Sequence, residues 1–197
     1  MRVTVLDLGV GNLHSIVKAL AFAGVDAVVG NDVEQALGGD ALVLPGVGAF
    51  APAATRIVPY AAAIRGGVAR GLPVLGICLG MQLLFERSDE GTGNGLGIFR
   101  GSVQRLRAAS VPQIGWNEIE SNDSLFDASR LTMAYYANSF ACRPTDASDV
   151  VAWSAHEDDR FPAAVRRGSA VGVQFHPEKS SQPGLRFLRA FFQEAVR

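Results

Sequence analysis

The sequence predicts an α/β fold: a single domain over 1–197 with a mostly parallel central sheet flanked by helices, plus an antiparallel section. Short apolar runs alternate with amphipathic stretches of helical length in the first half of the chain, which is the pattern of a parallel sheet. Short β-prone runs then dominate 102–174. Because no stretch rich in proline or serine divides the chain, we expect one domain.

Strand and helix signals follow one another in the first half of the chain. Apolar residues recur at helical spacing from Leu13 to Leu20, and Asp32 is placed to cap a second helix. A loop at 45–50 follows the third strand, and an alanine-rich helical stretch then leads to Gly71. The predicted strands are 2–8, 27–29, 41–44 and 73–77, and the other predicted helices are 13–24, 32–37 and 79–86.

The second half of the chain has weaker signals. Frequent glycine at 91–101 indicates a loop region. A phosphate-binding loop is the alternative interpretation, but the Gly-Lys-Ser/Thr that would mark it does not follow. Within 102–174 the clearest β-prone runs are 131–136 and 164–167, and we predict an antiparallel or mixed arrangement there. An amphipathic helix at 184–197 closes the chain.

The composition is that of an ordinary soluble globular protein. Of the 197 residues, 48% are hydrophobic and 19% charged, and a net charge of −1 gives no electrostatic basis for binding nucleic acid or an anionic membrane. With 2 cysteines, a disulfide framework is not expected. The N-terminus lacks the apolar core of a signal peptide. We therefore expect a cytoplasmic protein with neither nucleic acid nor membrane as its partner.

The turn after the fourth predicted strand holds Cys78 between Gly76 and Gly80. A tight turn from strand to helix needs glycine where a Cβ would crowd it, and it exposes its central side chain, as in a nucleophile elbow. The N-terminus of the next helix would aim N–H groups and a partial positive charge at the sulfur, which favours a thiolate. Cys78 is therefore the candidate nucleophile, whereas Cys142 is expected to be a small core or near-surface residue.

A His-Pro-Glu segment near the C-terminus supplies the groups that a cysteine nucleophile needs. His176 can take the remaining proton, and Glu178, two residues on in a segment predicted to be extended, can fix the imidazole tautomer. His14 and His156 have no comparable acidic neighbour on a strand, because His156 lies in a charged stretch predicted to be a solvated loop. The sequence thus offers nucleophile, base and orienting carboxylate in that order.

Two other classes of function stay open at this point. An α/β hydrolase with a cysteine elbow would place its acidic residue between the cysteine and the histidine. The aspartates of that interval include Asp123, Asp127, Asp146 and Asp149. A catalytically silent binding module, with Cys78 as a merely buried cysteine, is the second class. The carboxylate so close to His176 makes the first unnecessary, and the intact set of three groups argues against the second.

Five segments resemble the triad (class I) glutamine amidotransferases, and among these the glutaminase subunits of imidazole glycerol phosphate synthase. The elbow and the His-Pro-Glu segment would suit any amidotransferase of the class, whereas the residues at 9–12, 45–50 and 115–117 are similar to this subunit. The five segments are 7–15, 44–50, 76–86, 115–117 and 172–180. Because they span most of the chain, the resemblance implies a flavodoxin-like class I glutamine amidotransferase architecture.

The resemblance implies a reaction in which L-glutamine is hydrolysed to glutamate and ammonia without a cofactor or metal. Cys78 would attack the side-chain amide of glutamine and form a glutamyl thioester. His176 would protonate the departing ammonia and then activate water, and Glu178 would orient the imidazole ring of His176.

The resemblance also assigns residues that bind the substrate. Backbone N–H groups of Leu79 and Val47 would form the oxyanion hole, each contributing roughly 3 to 4 kcal/mol. Glycines flank the Val47 peptide, so it can rotate between a donating and a non-donating orientation at little steric cost. Gly46, Gln82 and Ser139 would bind glutamine. Alternatively, Gly46 serves only the turn, Gln82 lies on the helix surface and Ser139 caps a strand.

The resemblance further implies a protein partner. This is the cyclase subunit of imidazole glycerol phosphate synthase, a (β/α)8 barrel that would form a heterodimer with this chain. The cyclase would use the ammonia to make imidazole glycerol phosphate and aminoimidazole carboxamide ribotide in histidine biosynthesis. Trp116, Asn117, Tyr135 and Lys179 match family positions at or near the interface. Alternatively, Trp116 belongs to the core and Lys179 is a solvated charge.

Three residues depart from the family pattern. Asn138 stands where the family usually carries histidine, Phe140 where it usually carries tyrosine, and Gln113 where histidine is common. None of them belongs to the triad, so we expect hydrolysis to survive. We expect these three residues to affect the details of substrate contacts and of communication with the partner instead.

Overall fold

A computed structural model describes residues 1–9 and 13–195 of the chain. The strands are β1 (Val3–Leu6), β2 (Ala27–Gly30), β3 (Ala41–Leu44), β4 (Val74–Ile77), β5 (Phe85–Ser88), β6 (Phe99–Arg105), β7 (Gln113–Glu118), β8 (Glu120–Ser121), β9 (Met133–Asn138), β10 (Phe140–Pro144), β11 (Val150–His156), β12 (Asp159–Arg167) and β13 (Ala170–Val173). The helices are α1 (Leu13–Phe22), α2 (Val33–Leu37), α3 (Phe50–Ile57), α4 (Ala61–Ala69), α5 (Leu79–Leu83), α6 (Ser124–Ser129) and α7 (Ser181–Glu194).

The central sheet of the described residues has eight strands in the order β2-β1-β3-β4-β13-β12-β11-β8. Neighbours from β2 to β13 pair in parallel, and the pairs from β13 to β8 are antiparallel. Two smaller sheets have the orders β10-β6-β5 and β7-β9. The prediction of a mostly parallel sheet with an antiparallel section is therefore confirmed.

Helices cover both faces of the central sheet. Apolar residues of α1, α6 and α7 pack with Val3 and Val5 on one face, and those of α2 to α5 pack with Leu42 and Leu44 on the other. The strands β1, β3, β4 and β13 are buried along their whole length, as expected for parallel strands covered on both faces. The carboxyl ends of the neighbouring strands β4 and β13 meet at one edge of the sheet, where sites of such folds lie.

Two elements differ from the sequence prediction. The helix after Cys78 ends at Leu83 rather than at residue 86, because Phe85 begins β5 and pairs with Phe99 of β6. The helix α6 lies in the region predicted to be β-prone, and its N-cap Asp123 accepts a hydrogen bond of 2.9 Å from the Leu125 N–H. The predicted end of the helix after Cys78 was therefore wrong, whereas α6 is a short helix within a region that is otherwise dominated by strands, as predicted.

Smaller differences concern loops and ends. The charged segment around His156 is largely exposed, as predicted, but it forms a hairpin between β11 and β12, in which Asp159 is buried and pairs with Arg143 at 2.5 Å. The predicted loop at 91–101 ends where β6 begins, and the alanine-rich stretch divides into α3, a single 3₁₀ turn and α4. The closing helix starts at Ser181 rather than at residue 184. Residues 10–12, which carry most of the Gly-Val-Gly-Asn motif, and 196–197 lie outside the described residues.

No helix in 1–9 or 13–195 is long and apolar enough to cross a membrane.

Candidate active site

Cys78 occupies a strained turn between β4 and α5. Its φ of 48° and ψ of −101° are unusual for a residue with a side chain. The Cys78 N–H donates a hydrogen bond of 2.7 Å to the Val173 carbonyl at the end of β13. This bond fixes the turn to the neighbouring strand, which is how such strain persists in a folded protein.

The glycines beside Cys78 permit close backbone contacts. A Cβ at Gly80 would lie 2.1 Å from the Leu44 carbonyl oxygen, and one at Gly76 would lie 2.6 Å from the Gly80 carbonyl oxygen. Neither distance is possible for a real side chain, so both positions require glycine. The first turn of α5 therefore rests directly on the backbone of β3, and Cys78 is held at the edge of the sheet.

His176 lies between Cys78 and Glu178. Its side chain is 1% exposed, and Nδ1 donates a hydrogen bond of 2.8 Å to Glu178 Oε1. On its other side the ring neighbours Cys78, which raises the pKa of His176. The prediction that Glu178 lies in an extended segment was wrong, since Pro177–Lys179 forms a 3₁₀ turn. That turn brings the carboxylate to Nδ1 of the ring.

The electrostatics of this cluster favour a charged ring. Burial alone lowers the pKa of His176, but the hydrogen bonds to Cys78 and Glu178 and the negative charges of both partners raise it to about 10. At neutral pH the ring is therefore an imidazolium. An imidazolium next to a cysteine sulfur stabilises negative charge on that sulfur.

Ser180 and Tyr135 hold the main chain of His176. The Ser180 Oγ donates a hydrogen bond of 2.6 Å to the His176 carbonyl and accepts one of 2.9 Å from the Tyr135 N–H. The His176 N–H in turn donates to the Tyr135 carbonyl at 2.8 Å. Sequence reasoning missed Ser180. Its spacing of four residues from His176, from which a serine hydroxyl can bond back to a carbonyl, is the signal that could have found it.

A cavity of about 260 Å³ opens at Cys78. The sequence-predicted residues that line it are Gly46, Val47, Cys78, Leu79, Gln82, Ser139, His176 and Lys179. Glu90 lines it too and was missed by sequence reasoning; its Oε2 accepts a hydrogen bond of 3.2 Å from the Phe50 N–H. An acidic residue just before the glycine-rich segment was the available signal.

The residues that depart from the family pattern lie at or beside this cavity. Asn138 and Phe140 line it, and Gln113 pairs with Asn138 across β7 and β9. Both the Asn138 Nδ2 and the Gln82 Nε2 donate to the Phe140 carbonyl, at 3.1 Å and 3.3 Å. Gln82 is buried, so the alternative that it lies on the helix surface was wrong.

The loop at 45–50 covers the backbone next to Cys78. The Leu79 N–H donates a long hydrogen bond of 3.5 Å to the Gly46 carbonyl. Because a trans peptide directs its C=O and N–H in opposite directions, the Val47 N–H of the same peptide points away from Leu79. In this conformation, the two N–H groups predicted to form the oxyanion hole do not converge.

An exposed face lies beside the cavity on the sheet of β7 and β9. The Trp116 side chain is 52% exposed and packs edge-on against Tyr135 at 6.3 Å, so the alternative that Trp116 belongs to the core was wrong. Lys179 Nζ lies 5.7 Å from the centre of the Tyr135 ring. Asn117 donates instead to the Ala155 carbonyl at 2.6 Å, which ties β7 to β11.

The aspartates between Cys78 and His176 make other contacts. Asp123 pairs with Arg166 at 3.0 Å, and Asp149 pairs with Arg167 at 2.6 Å. Asp146 accepts from the Ser148 N–H in a local turn. The carboxylate that contacts the His176 ring is that of Glu178. The geometry therefore does not support an α/β hydrolase in which an aspartate between Cys78 and His176 would orient the ring.

Comparisons with known proteins agree with this arrangement. A family model for class-I glutamine amidotransferases matches residues 4–195. Two relatives with the curated name imidazole glycerol phosphate synthase subunit HisH come from Pyrobaculum aerophilum and Pyrococcus furiosus. The first is 42% identical over 200 residues and all of both chains, and the second is 41% identical over 194 residues, 96% of this chain and 97% of its own length.

Solved structures share the fold. A crystal structure of a glutamine amidotransferase superposes with a TM-score of 0.78 at 23% identity over 99% of both chains. A structure of PurLQS from Thermotoga maritima gives a TM-score of 0.67 at 20% identity, over 99% of this chain and 97% of the other. From the family model and the relatives at about 40% identity together, the chain belongs to the class-I glutamine amidotransferase family.

Proposed function

We propose that this chain is a glutaminase that hydrolyses L-glutamine to glutamate and ammonia. One observation carries the proposal: a buried His176 is hydrogen-bonded to Glu178 and lines the same cavity as Cys78, which raises the pKa of the ring. A cysteine on a strained elbow with a histidine oriented by a carboxylate is the arrangement needed for acyl transfer through a thioester.

The proposed reaction has two steps. The Cys78 sulfur attacks the carbonyl carbon of the substrate amide, the C–N bond breaks, and the His176 imidazolium gives its proton to the departing nitrogen, which leaves as ammonia. The neutral ring then takes a proton from water, whose oxygen attacks the thioester, and glutamate leaves as the sulfur regains its charge. Glu178 keeps Nδ1 protonated throughout and so keeps Nε2 available for these transfers.

The cavity supplies contacts for a glutamine molecule. Gln82 and Ser139 are the side chains that we propose to bind the substrate, together with the backbone at Gly46. The carboxylate of Glu90 places a negative charge at the cavity, where it would attract the α-ammonium group of glutamine. The oxyanion hole would form when the Val47 peptide turns its N–H toward the substrate, alongside the Leu79 N–H.

We further propose that the ammonia passes to a separate cyclase subunit of imidazole glycerol phosphate synthase, a (β/α)8 barrel, in a cytoplasmic heterodimer. The support is the curated name of the relatives and the exposed face beside the cavity. On that face Ile114 and Met133 add exposed apolar area to Trp116 and Tyr135. Aromatic residues with apolar neighbours are typical anchors of protein interfaces.

The test is an assay of glutamate and ammonia from labelled glutamine, using the chain together with the cyclase. We expect both products in equal amounts. We expect a loss of two orders of magnitude or more in the His176→Ala variant, since the group that transfers the proton in both steps is removed, and a smaller loss in Glu178→Gln. Equal rates for His176→Ala and the unchanged chain would contradict the proposal.

A further inference from the structure

Gln174 directs its side chain at the candidate nucleophile. It follows β13, and its N–H donates to the Ala163 carbonyl at 2.9 Å, which sets the direction of the residue. The side-chain Nε2 lies 3.5 Å from the Cys78 Sγ and donates a hydrogen bond to it. The side chain is completely buried, so its amide meets the sulfur without competition from bulk water.

The burial of this amide is costly for the fold. Among the described residues, the Gln174 Oε1 has no hydrogen-bond partner. A buried polar atom without a partner destabilises the fold, and an apolar side chain of similar size would avoid that cost. The residues on either side, Val173 and Phe175, are apolar and completely buried. Packing therefore does not explain a glutamine at this position, whereas its contact with the sulfur does.

We propose that Gln174 is a catalytic residue, whose amide N–H holds the Cys78 sulfur as a thiolate for the proposed glutaminase reaction. A hydrogen bond to a charged acceptor is about twice as strong as one between neutral groups, so the contact favours the thiolate over the thiol. His176 contacts the same sulfur, so two donors share the charge. The same contact stabilises the sulfur as the leaving group when the thioester is hydrolysed.

The geometry makes this role distinct from that of His176. The histidine gains and loses a proton during the reaction, whereas an amide N–H keeps its proton at every pH of interest. Gln174 therefore supplies a constant donor, and its removal would change the pH at which the sulfur becomes reactive. A residue that served only the fold would leave that pH unchanged.

The experiment measures the rate of alkylation of Cys78 by iodoacetamide as a function of pH, with the site of modification read by mass spectrometry. Two variants remove the donor: Gln174→Met keeps the size of the side chain, and Gln174→Glu keeps its shape and adds negative charge. Gln104→Met, which replaces a half-buried glutamine of β6 in a different sheet from β4 and β13, is the matched control.

We expect the midpoint of the alkylation profile to move upward by about one pH unit in Gln174→Met, which slows alkylation roughly tenfold below the midpoint. The shift should be larger in Gln174→Glu and absent in the control. Thermal unfolding of each variant, followed by circular dichroism, shows whether it is folded. Because iodoacetamide needs no glutamine, the result is independent of whether the chain proves to be a glutaminase. Folded Gln174 variants with an unchanged midpoint would overturn the proposal.

Discussion

The two cysteines differ in every property that governs reactivity. Cys78 lines a cavity and contacts donors on two sides. Cys142 is completely buried in β10, and burial, together with the charge of Cys78, raises its pKa well above the ordinary value. Cys142 is therefore a thiol at neutral pH and is inert.

This contrast predicts the site of covalent labelling. An electrophilic glutamine analogue should modify Cys78 and leave Cys142 unmodified, as read by mass spectrometry of the digested protein. Cys78→Ser should lose both labelling and hydrolysis by several orders of magnitude and keep its fold, because the side chain faces a cavity. The matched control is Cys142→Ser, which should keep its labelling. Label on Cys142 would mean that the nucleophile has been misassigned.

The raised pKa of His176 predicts how stability depends on pH. The ordinary value of 6.5 applies to the unfolded chain and about 10 to the folded one, so protonation of this ring stabilises the folded state fully below pH 6.5. The contribution is lost as the pH rises through 10. In denaturant titrations, the difference in free energy of unfolding between the unchanged chain and His176→Gln should shrink over this interval. The change should be on the order of 1 kcal/mol or more. A constant difference would show that the ring is not held as an imidazolium.

At this scale the sequence was sufficient to pick out the three residues of the candidate triad but not the residues around them. The glycines beside Cys78 and the short spacing from His176 to Glu178 are local signals, and local signals are visible in a sequence. Gln174 acts on Cys78, a partner that lies far away in the chain, so nothing in the local pattern distinguishes it from an ordinary polar residue. Ser180 has a local partner in the His176 carbonyl, but its second partner, the Tyr135 N–H, is distant.

Among the elements, the elbow depends on the backbone contact between α5 and β3. The parallel pairing of β1, β3 and β4 was predictable as a fold class, since apolar strands separated by helices form parallel sheets. The end of α5 was not predictable. The residues after it have helical spacing in isolation, but pairing of β5 with β6 takes Phe85 into a strand. Tertiary pairing of this kind overrides local preference.

The same contact predicts the outcome of a glycine substitution. In Gly80→Ala, the new methyl group would overlap the Leu44 carbonyl, so α5 must move or the chain must unfold. We expect a loss of about 3 kcal/mol in the free energy of unfolding, measured by denaturant titration. The control is Gly66→Ala in α4, where the nearest atom belongs to the flexible end of Arg70. It should be neutral or stabilise by up to about 1 kcal/mol. A Gly80→Ala variant as stable as the control would contradict the described contact.

On the scale of the whole molecule, the cavity and the exposed face of β7 and β9 lie side by side. Lys179 belongs to both, since it lines the cavity and lies over the Tyr135 ring. The Leu79 N–H is meanwhile paired with the Gly46 carbonyl rather than directed at a substrate. In this conformation the candidate nucleophile lies at the cavity, but the two N–H groups proposed to form the oxyanion hole point in different directions.

This arrangement predicts that the isolated chain is a poor glutaminase and that its partner activates it. A missing oxyanion donor costs about 3 kcal/mol, which corresponds to roughly a hundredfold in rate. Steady-state glutaminase activity should therefore rise about a hundredfold from the chain alone to the chain with the cyclase and an analogue of the cyclase substrate. Trp116→Ala, measured at limiting cyclase concentration, should reduce the increase and leave the basal rate unchanged. Full activity in the isolated chain would exclude this form of control and leave a stand-alone glutaminase.

Tyr135 contacts the exposed face through its ring and the candidate triad through its backbone. Its ring packs with Trp116 and Lys179 at the surface, while its peptide groups bond to Ser180 and His176. A molecule that settles on the ring therefore perturbs the acceptor of the His176 amide proton without entering the cavity. The chemical shift of that proton in nuclear magnetic resonance, and the rate at which the proton exchanges with deuterium, therefore report binding at the exposed face from a position beside the candidate nucleophile.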